Sequence, residues 1–297
     1  MLGITLRHLE VFVAIASTGT VKAAAEQVFI SQPAASMALA ELERQLDVPL
    51  FDRIRGRMQL SAKGRELLPS AQEVLARMQE LQLRAHEQSP TVQGELALGT
   101  SNTVGNYLIG DLLGEFIQHY PQIKLNLQVT NTQNILKQML EHRLDVACVE
   151  GPVQHPDLLN QVWRNDSLVV VTNSQHPLAQ RTTLRAADFA QAQWILRESG
   201  SASRALAELA LAELPAGQVV LELEHVEAIK QAVLAGVGIA FLPEAAIVDA
   251  RQTGRLIALH TPFLNLERKI WLTVHKQRYQ RAVLQAFLAS VGWQAQR

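Results

Sequence analysis

Apolar residues near the start of the chain recur at helical spacing. One face of a helix with this spacing would carry Leu9, Phe12, Val13 and Ala16. This spacing predicts an amphipathic helix, and Gly19 is placed to end it. The chain therefore opens with a helix that packs by one face against the rest of its domain.

Two more helices are predicted after it. Thr20 is an N-cap residue ahead of an alanine-rich segment, and Ser31 is another, with Pro33 in the first turn of the helix that follows. The inward stripe of this third helix consists of Leu39, Leu42 and Leu46. Its predicted outward face carries short, uncharged side chains near the start, namely Gln32, Ala35 and Ser36. Such a surface is typical of a recognition helix that enters the major groove of DNA.

A basic segment with no acidic residue follows the third helix. Its cations are Arg53, Arg55, Arg57, Lys63 and Arg65. Gly56 supplies a turn, so we interpret the segment as a hairpin that meets DNA phosphates. Taken alone, the pattern is also compatible with another small helical module in which these charges form a solvated face.

A long helix is predicted from Ser61 to about residue 88. Its apolar stripe alternates steps of four and three residues over Leu67, Ala71, Val74, Met78, Leu81 and Ala85. This heptad spacing predicts pairing with the same helix of a second chain. The alternative is that the stripe packs on the helix's own domain.

After a Ser, Pro and Gly-containing linker near residues 89–94, strand and helix patterns alternate. A first unit has predicted strands at 95–99, 124–129 and 144–150. A second has strands at 167–172, 194–196, 219–223 and the run up to 243, and a strand at 269–275 returns toward the first unit. Alternating strands and helices predict two α/β lobes with parallel sheets.

Composition narrows the function classes. The net charge of −1 argues against coating of nucleic acid by bulk charge, but not against a local basic reader. The single cysteine, Cys148, excludes an internal disulfide and lies in a predicted buried strand, so a structural role is expected. The N-terminus carries no basic-then-apolar leader, and no apolar run reaches the roughly 18 residues of a membrane helix. We therefore expect a cytoplasmic protein without membrane contact.

Candidate ligand-binding residues follow the predicted strands, where ligands bind in open α/β sheets. Hydroxyls and amides at helix starts, with the free N–H groups there, suit an anion. The predicted effector-binding residues are Thr100, Ser101, Asn102, Thr103, Asn131, Thr132, Glu150, Ser201, Ser203 and Val226. For each of them, simple helix capping is the alternative interpretation. No nucleophile motif, phosphate-binding loop or metal-ligand spacing is found, so we expect no enzyme, cofactor or metal.

The N-terminal segment resembles the DNA-binding domain of LysR-type transcriptional regulators. The motifs that carry the resemblance are Ala23-Ala24-Ala25-Glu26, Ser31-Gln32-Pro33-Ala34-Ala35-Ser36, Leu42-Glu43 and Leu50-Phe51-Asp52-Arg53. The resemblance implies that Ser31, Gln32, Pro33 and Ser36 face DNA and that Arg53 and Arg55 hold its backbone. Many relatives have a basic or amide residue after the serine matching Ser36, whereas this chain has Met37 and Ala38. More of the phosphate contact therefore falls on the basic segment, Arg57 included, on Lys22 and on Arg7.

The whole-chain resemblance implies a specific architecture. The expected fold class is α/β, with a winged helix-turn-helix domain (1–65), a dimerising linker helix (61–88) and a two-lobed, periplasmic-binding-protein-like effector domain (91–297). Lobe I is expected at about 93–162 and 267–297, and lobe II at about 163–266. The segments 100–109, 150–152 and 194–198 resemble the branch of the family associated with sulfite or sulfur-linked sensing, which implies a small anionic effector.

The function expected from this reading is sequence-specific transcriptional regulation. The expected partners are double-stranded DNA with a roughly palindromic operator, a small-molecule effector, a homodimer partner, a homotetramer built from such dimers, and RNA polymerase. The sequence favours this function over two others. A transport-type solute-binding protein is opposed by the basic reader segment and the missing leader, and an enzyme built on the sensor domain is opposed by the missing nucleophile and base.

Overall fold

Four helices and a two-stranded hairpin form the first unit of the structure, a computed structural model that describes residues 3–54, 56–86 and 92–294. The short segments 141–143 and 277–282 are grouped with this unit. Its elements are α1 (Leu6–Thr18), α2 (Val21–Gln27), α3 (Gln32–Leu46), β1 (Phe51–Ile54), β2 (Arg57–Leu60) and α4 (Ala62–His86). The order confirms the helix-turn-helix and hairpin predicted from the sequence.

The predicted caps explain where these helices begin and end. Gly19 ends α1 in the left-handed conformation, with φ 74°. The Thr20 side chain accepts the Ala23 N–H at 3.2 Å and so caps α2. The Ser31 side chain accepts the Ala34 N–H at 3.3 Å and caps α3. Each cap replaces a hydrogen bond that the first turn of a helix cannot make internally.

The first unit has its own hydrophobic core, in which the rings of Phe12 and Phe51 meet edge to face at 5.6 Å. Ala35 is fully buried in this core, so its predicted outward position is wrong. Small side chains at this point let α3 approach its neighbours closely. Gly64 is a second close approach, because a Cβ there would lie 2.1 Å from the carbonyl oxygen of Leu50.

The long helix α4 divides the predicted heptad stripe in two. Ala71 is buried in the core of the first unit and Leu67 packs against that core, whereas Val74 and Leu81 are exposed at 44% and 60%. The early turns therefore pack on their own domain, and the later turns leave apolar side chains exposed. Residues 87–91 of the predicted linker lie outside the described residues, as does Arg55.

The second unit is an α/β structure whose strands form one connected sheet, with β10 attached to β6 off the main strand order. Its strands are β3 (Gly94–Thr100), β4 (Ile123–Val129), β5 (Val146–Glu150), β6 (Leu158–Asn173), β7 (Gln193–Arg197), β8 (Gln218–Leu223), β9 (Ile239–Pro243), β10 (Leu256–Leu259) and β11 (Glu267–His275). Its helices are α5 (Ile109–His119), which follows a π-helical turn at Val104–Leu108, then α6 (Thr132–Leu140), α7 (Ala202–Ala212), α8 (Val226–Leu234), α9 (Glu244–Gln252) and α10 (Ala282–Ser290). Short 3-10 turns lie at Pro177–Gln180 and Ala186–Phe189.

Two parallel groups of strands are joined by an antiparallel pair. β3 runs parallel to β4 and β5, which defines the first lobe, and β7 runs parallel to β8 and β9, which defines the second. β11 pairs with β5 and β6, and β6 pairs with β9, so β6 and β11 connect the lobes. This topology confirms the two-lobed prediction, while the exact lobe boundaries stay predictions.

Three features of the second unit differ from the sequence-based expectation. β6 begins at Leu158 rather than near Ser167, because its first half pairs with β11 from Leu158 opposite His275 onward. Helix α9 and strand β10 were not predicted. Strand β10 depends on tertiary pairing, since it adds antiparallel to β6 over the four positions Leu256–Leu259.

Candidate functional site

The start of α3 presents a polar, uncharged surface on the first unit. Gln32 and Pro33 are exposed, as is the cap Ser31, and Ser36 is half-buried. Ser31 uses its oxygen to accept the Ala34 N–H, so its hydroxyl proton remains for an acceptor such as a phosphate oxygen. The four residues predicted to face DNA are therefore grouped at one end of a single helix.

Three predicted phosphate-binding cations are exposed on the same unit. These are Lys22 on α2, Arg53 on β1 and Arg57 on β2, and none of them forms an ion pair with another residue that the structure describes. Unpaired cations keep their full charge for DNA phosphates. The Met58 N–H donates to the carbonyl of Gly19 at 2.9 Å, which ties the hairpin to the end of α1.

Two cations of the predicted basic segment have other roles. Lys63 and Arg65 lie on α4 rather than on the hairpin. Lys63 pairs with Glu66 at 2.7 Å, and Arg65 donates to the carbonyl of Leu60 at 2.8 Å. The charge of the hairpin is therefore smaller than the sequence alone indicated.

In the second unit, several predicted effector residues contact one side chain that was not predicted from the sequence. Arg268 on β11 is buried, with its side chain 4% exposed. Its guanidinium donates to Ser203 Oγ at 2.8 Å and to Thr103 Oγ1 at 3.3 Å. It also pairs with Asp166 at 2.6 Å and with Glu150 at 3.6 Å. Thr103 and Glu150 belong to the first lobe and Ser203 to the second, so one cation links both.

We define the cleft as residues 100–103, 131–132, 150 and 201–203 with Arg268. The first-lobe loops are joined to one another by hydrogen bonds. The Ser101 N–H donates to the carbonyl of Cys148 at 3.1 Å, and Thr132 Oγ1 donates to the carbonyl of Glu150 at 3.4 Å. Ser101 Oγ also caps the helix by accepting the Val104 N–H at 3.3 Å. Capping therefore explains part, but not all, of the hydroxyl content of these loops.

Two buried polar atoms of the cleft have no hydrogen-bond partner among the described residues. They are Thr100 Oγ1 and Glu150 Oε1. Thr100 is fully buried and Glu150 nearly so. Buried polar groups are normally hydrogen-bonded, and an unsatisfied one costs about 1–3 kcal/mol. Both atoms therefore lack a hydrogen bond that a polar group of a ligand or a water could supply.

The lobes touch beside the cleft. The Gln133 N–H donates to the carbonyl of Gly200 at 3.1 Å. Gly151 has φ +91°, and a Cβ there would lie 3.2 Å from the Cβ of Ala202. Glycine is required at this approach because it adopts positive φ without strain and adds no side chain between the lobes.

A second polar link joins the lobes away from Arg268. Tyr107, in the π-helical turn, donates its hydroxyl to Glu227 of α8 at 2.5 Å, and Lys230 pairs with Glu227 at 2.9 Å. Burial, followed by the Glu227 carboxylate, raises the pKa of Tyr107 above its ordinary value. Burial would also raise the pKa of Glu227, but the hydrogen bonds from Tyr107 and Lys230 outweigh it and hold that pKa below its ordinary value.

The remaining predicted effector residues differ in what they offer. Asn131 caps α6 by accepting the Asn134 N–H at 3.0 Å. Ser201 is buried at the start of α7 and makes no capping hydrogen bond with its side chain. The Val226 side chain packs in the hydrophobic core of the second lobe, so a ligand could meet only its backbone.

The alternation of buried and exposed positions along β11 could have identified Arg268. The residue stands in a charged run, which usually forms a solvated face, but Arg268 has the same strand parity as Ile270 and Leu272. Along β11 these alternate positions are the buried ones. An arginine at buried parity predicts a buried ion pair or a ligand contact.

Cys148 lies in β5 directly behind the cleft loops. Burial, followed by the nearby Glu150 carboxylate, raises the pKa of the Cys148 thiol well above its ordinary value. Thiol oxidation requires the thiolate, so this environment opposes a redox role. Within the described parts of the chain, no group of three or more His, Cys, Asp or Glu residues is arranged to hold a metal ion, and no helix among them is long and apolar enough to cross a membrane.

Two family models match the chain. The model described as "Bacterial regulatory helix-turn-helix protein, lysR family" matches residues 6–65. The model described as "LysR substrate binding domain" matches residues 90–295. The first match covers the unit that carries α3 and the hairpin, and the second covers the unit that carries the cleft.

Individual proteins agree with these matches. The uncharacterised HTH-type transcriptional regulator YeiE of Escherichia coli K12 is 36% identical over 286 residues, which is 96% of each chain. Full-length OxyR from Pseudomonas aeruginosa has a TM-score of 0.76 at 22% identity, covers 97% of this chain and 94% of its own, and so shows a shared fold. The regulatory domain of CcmR from Synechocystis PCC6803, in complex with 2-PG, is 32% identical with a TM-score of 0.62, over 67% of this chain and 96% of that one.

Proposed function

The chain belongs to the LysR family of bacterial transcriptional regulators, and we propose that it reads DNA with α3 and the hairpin and binds its effector in the cleft around Arg268. As a member of this family it is a DNA-binding regulator with an effector-binding domain. Its relatives are regulators rather than enzymes, and the match over residues 6–65 leaves no support for a solute-binding protein without DNA function.

For DNA, the proposed base-reading residues are those at the start of α3. Gln32 is a long amide that suits bidentate pairing with adenine, and Ser36 can pair with several bases. The proposed phosphate contacts are Lys22, Arg53, Arg55 and Arg57. What supports Lys22, Arg53 and Arg57 is that they are exposed and have no ion-pair partner among the described residues, whereas Arg55 rests on the sequence alone. Phosphate contacts supply affinity, and base contacts supply sequence preference.

For the effector, the observation that carries the proposal is the convergence at Arg268. Side chains that follow separate strands of both lobes meet at one buried guanidinium, with hydrogen bonds of 2.8 Å to Ser203 and 3.3 Å to Thr103. A ligand that inserts among these groups changes contacts in both lobes at once. Binding at this point would therefore favour one relative arrangement of the lobes over another.

The chemistry of the cleft favours a small polar effector that carries a proton to donate. Arg268 brings one formal positive charge, while Glu150 and Asp166 bring two negative charges. Glu150 Oε1 can only accept a hydrogen bond when ionised, and Thr100 Oγ1 can donate or accept. A fully deprotonated oxyanion such as sulfate would meet the Glu150 oxygen without a donor. An oxyanion that retains a proton, such as hydrogensulfite, satisfies both atoms and also agrees with the sulfur-linked branch that the sequence resembles.

A matched pair of threonine variants tests the site. Thr100 and Thr172 are both fully buried with an unpartnered Oγ1 among the described residues, but Thr172 lies on β6 outside the cleft as we define it. Valine replaces threonine with little change of shape, so Thr100→Val and Thr172→Val should both fold normally. Full-length wild type and Thr172→Val should be stabilised by sulfite in a thermal-shift titration, by about 2.7 kcal/mol at 100 times Kd. Thr100→Val should show a clearly weaker response.

Three outcomes of this titration are informative. A Thr100→Val response equal to that of wild type would remove the proposed cleft from effector binding. A response to sulfate as strong as the response to sulfite would contradict the need for a ligand proton. If none of sulfite, sulfate and 2-PG stabilises the protein while a gel shift still shows DNA binding, the proposed effector class is wrong. The proposed DNA-binding function is then still supported.

Oligomers are the rule for proteins of this kind, and we propose a homodimer through α4 that pairs into a homotetramer on a roughly palindromic operator. The exposed Val74 and Leu81 on α4 support the dimer. In the effector unit, β4 and β8 end the sheet path and expose Val129 and Val219, which supports a second interface. Light scattering of Leu81→Gln and Val129→Lys variants would separate the two contacts. Contact with RNA polymerase and a cytoplasmic location complete the proposal.

A further inference from the structure

One large apolar side chain protrudes from the proposed DNA-reading face of α3. Met37 is 71% exposed. Over the first turns of the helix, Gln32, Pro33 and Ala40 are exposed as well, and Arg44 is exposed further along. From Gln32 to Ala40 the helix carries no charged residue. Met37 is therefore the largest apolar side chain available to base edges over the first turns of the helix.

The chemistry of methionine restricts which base edge it can recognise. A thioether donates no hydrogen bond and is a weak acceptor, so Met37 cannot form the bidentate pairs by which arginine reads guanine or glutamine reads adenine. In the major groove, the apolar feature of a base pair is the C5-methyl group of thymine. An unbranched, flexible side chain with a polarisable sulfur adapts readily to such a contact.

A protein partner for Met37 is a poorer match. Docking surfaces between proteins are contiguous apolar patches of several hundred Å², whereas Met37 is bordered by the small Ala34 and Ala40 and by the ion pair of Glu41 with Arg44. The exposed cations Lys22 and Arg53 of the same unit suit a duplex instead. The surroundings of Met37 are thus those of a base-reading residue.

On the basis of the proposed DNA-reading function, we infer that Met37 selects a thymine in each operator half-site by contact with its methyl group. Burying one such group contributes about fourfold in affinity, and about fifteenfold for two half-sites, which corresponds to roughly 0.8 kcal/mol per methyl. Specificity at that position then rests on an apolar contact rather than on a hydrogen bond.

The test begins with duplexes selected from a random pool by the full-length protein. Deoxyuridine then replaces each thymine of the selected half-site in turn, which removes only the methyl group. Wild type should lose about fourfold per half-site at one position. Met37→Ala should bind more weakly than wild type and should lose nothing further from that deoxyuridine. Alanine favours helix at this exposed position, so the variant should fold.

Two control variants separate the possible failures. Phe29→Ala removes another exposed apolar side chain, 94% exposed and ahead of α3, and should keep the full deoxyuridine effect. Gln32→Ala should alter the selected sequence through a different base. The inference about Met37 is overturned if no thymine is sensitive in wild type, or if Met37→Ala keeps the sensitivity. In that case, a changed sequence preference of Gln32→Ala would still support base reading by α3. If neither variant alters sequence preference, the proposed role of α3 fails as well.

Discussion

Replacing Arg268 by methionine should destabilise the effector unit strongly. The change removes hydrogen bonds of 2.6 Å to Asp166, 2.8 Å to Ser203 and 3.3 Å to Thr103. It leaves the carboxylates of Asp166 and Glu150, 9% and 3% exposed, without their cation. Breaking a buried ion pair from one side costs about 3–5 kcal/mol. That is a large part of the ~5–15 kcal/mol by which a typical domain is stable.

Arg164→Met is the matched control for this substitution. Arg164 lies on β6, beside β11, and pairs with Asp111 at 2.7 Å, but these side chains are 42% and 64% exposed. An ion pair this exposed contributes about 0–1 kcal/mol. The same chemical change at two neighbouring strands should therefore give very different losses of stability, and the difference measures the effect of burial.

Urea unfolding followed by tryptophan fluorescence measures the loss in the right unit. All four tryptophans, at positions 163, 194, 271 and 293, lie in the effector unit. With a urea slope of about 2–3 kcal/mol per molar, Arg268→Met should lower the unfolding midpoint by roughly 1–2 M. All variants are compared at one protein concentration, because assembly contributes to apparent stability.

A triple variant shows whether unpaired charge is the cause. Adding Glu150→Gln and Asp166→Asn to Arg268→Met neutralises the stranded carboxylates and should recover much of the lost midpoint. If Arg268→Met lowers the urea midpoint no more than Arg164→Met does, the view that Arg268 holds the cleft together is refuted. A large loss that the triple variant does not recover would assign the effect to packing instead of charge.

Three further outcomes are expected. Arg53→Ala should weaken DNA binding on all sequences and reduce the slope of log affinity against log salt by about 1 per protomer, as measured by fluorescence anisotropy, whereas Arg53→Lys should keep the slope. Gly64→Ala places a Cβ 2.1 Å from a backbone oxygen and should impair folding of the DNA-binding unit by circular dichroism, whereas Gly110→Ala, with open space around it, should stabilise by up to about 1 kcal/mol. Glu227, with its lowered pKa, adds stability above its unfolded pKa and loses it as pH falls through the folded value. Tyr107→Phe should shrink that contribution, so urea midpoints of variant and wild type should converge as pH falls below about 4.

Local sequence signals were sufficient for the DNA-binding unit. Thr20 and Ser31 cap their helices as predicted, and Gly19 ends α1. A cap acts within a few residues of itself, so its effect is visible without knowledge of the rest of the fold. The parallel strands and their following helices were recovered for the same reason, because side-chain periodicity is a local property.

Contacts between distant segments could not be predicted from the sequence. The part of β6 before Ser167 carries Arg164 and Asp166, which do not resemble a core strand, and it is a strand because β11 pairs with it. Arg268 looked like part of a solvated charged run. Only the folded chain brings it to Glu150 and Ser203.

The sequence by itself determined the family, the helix-turn-helix and hairpin, and most strands and helices of the effector unit, because caps, periodic apolar positions and motifs act locally. The tertiary structure alone decided which polar residues of the effector unit meet, which buried polar atoms have no hydrogen-bond partner among the described residues, and that Ala35 faces inward. The physical reason is that burial and charge pairing depend on segments far apart in the chain, and their energies are set only when the strands have paired.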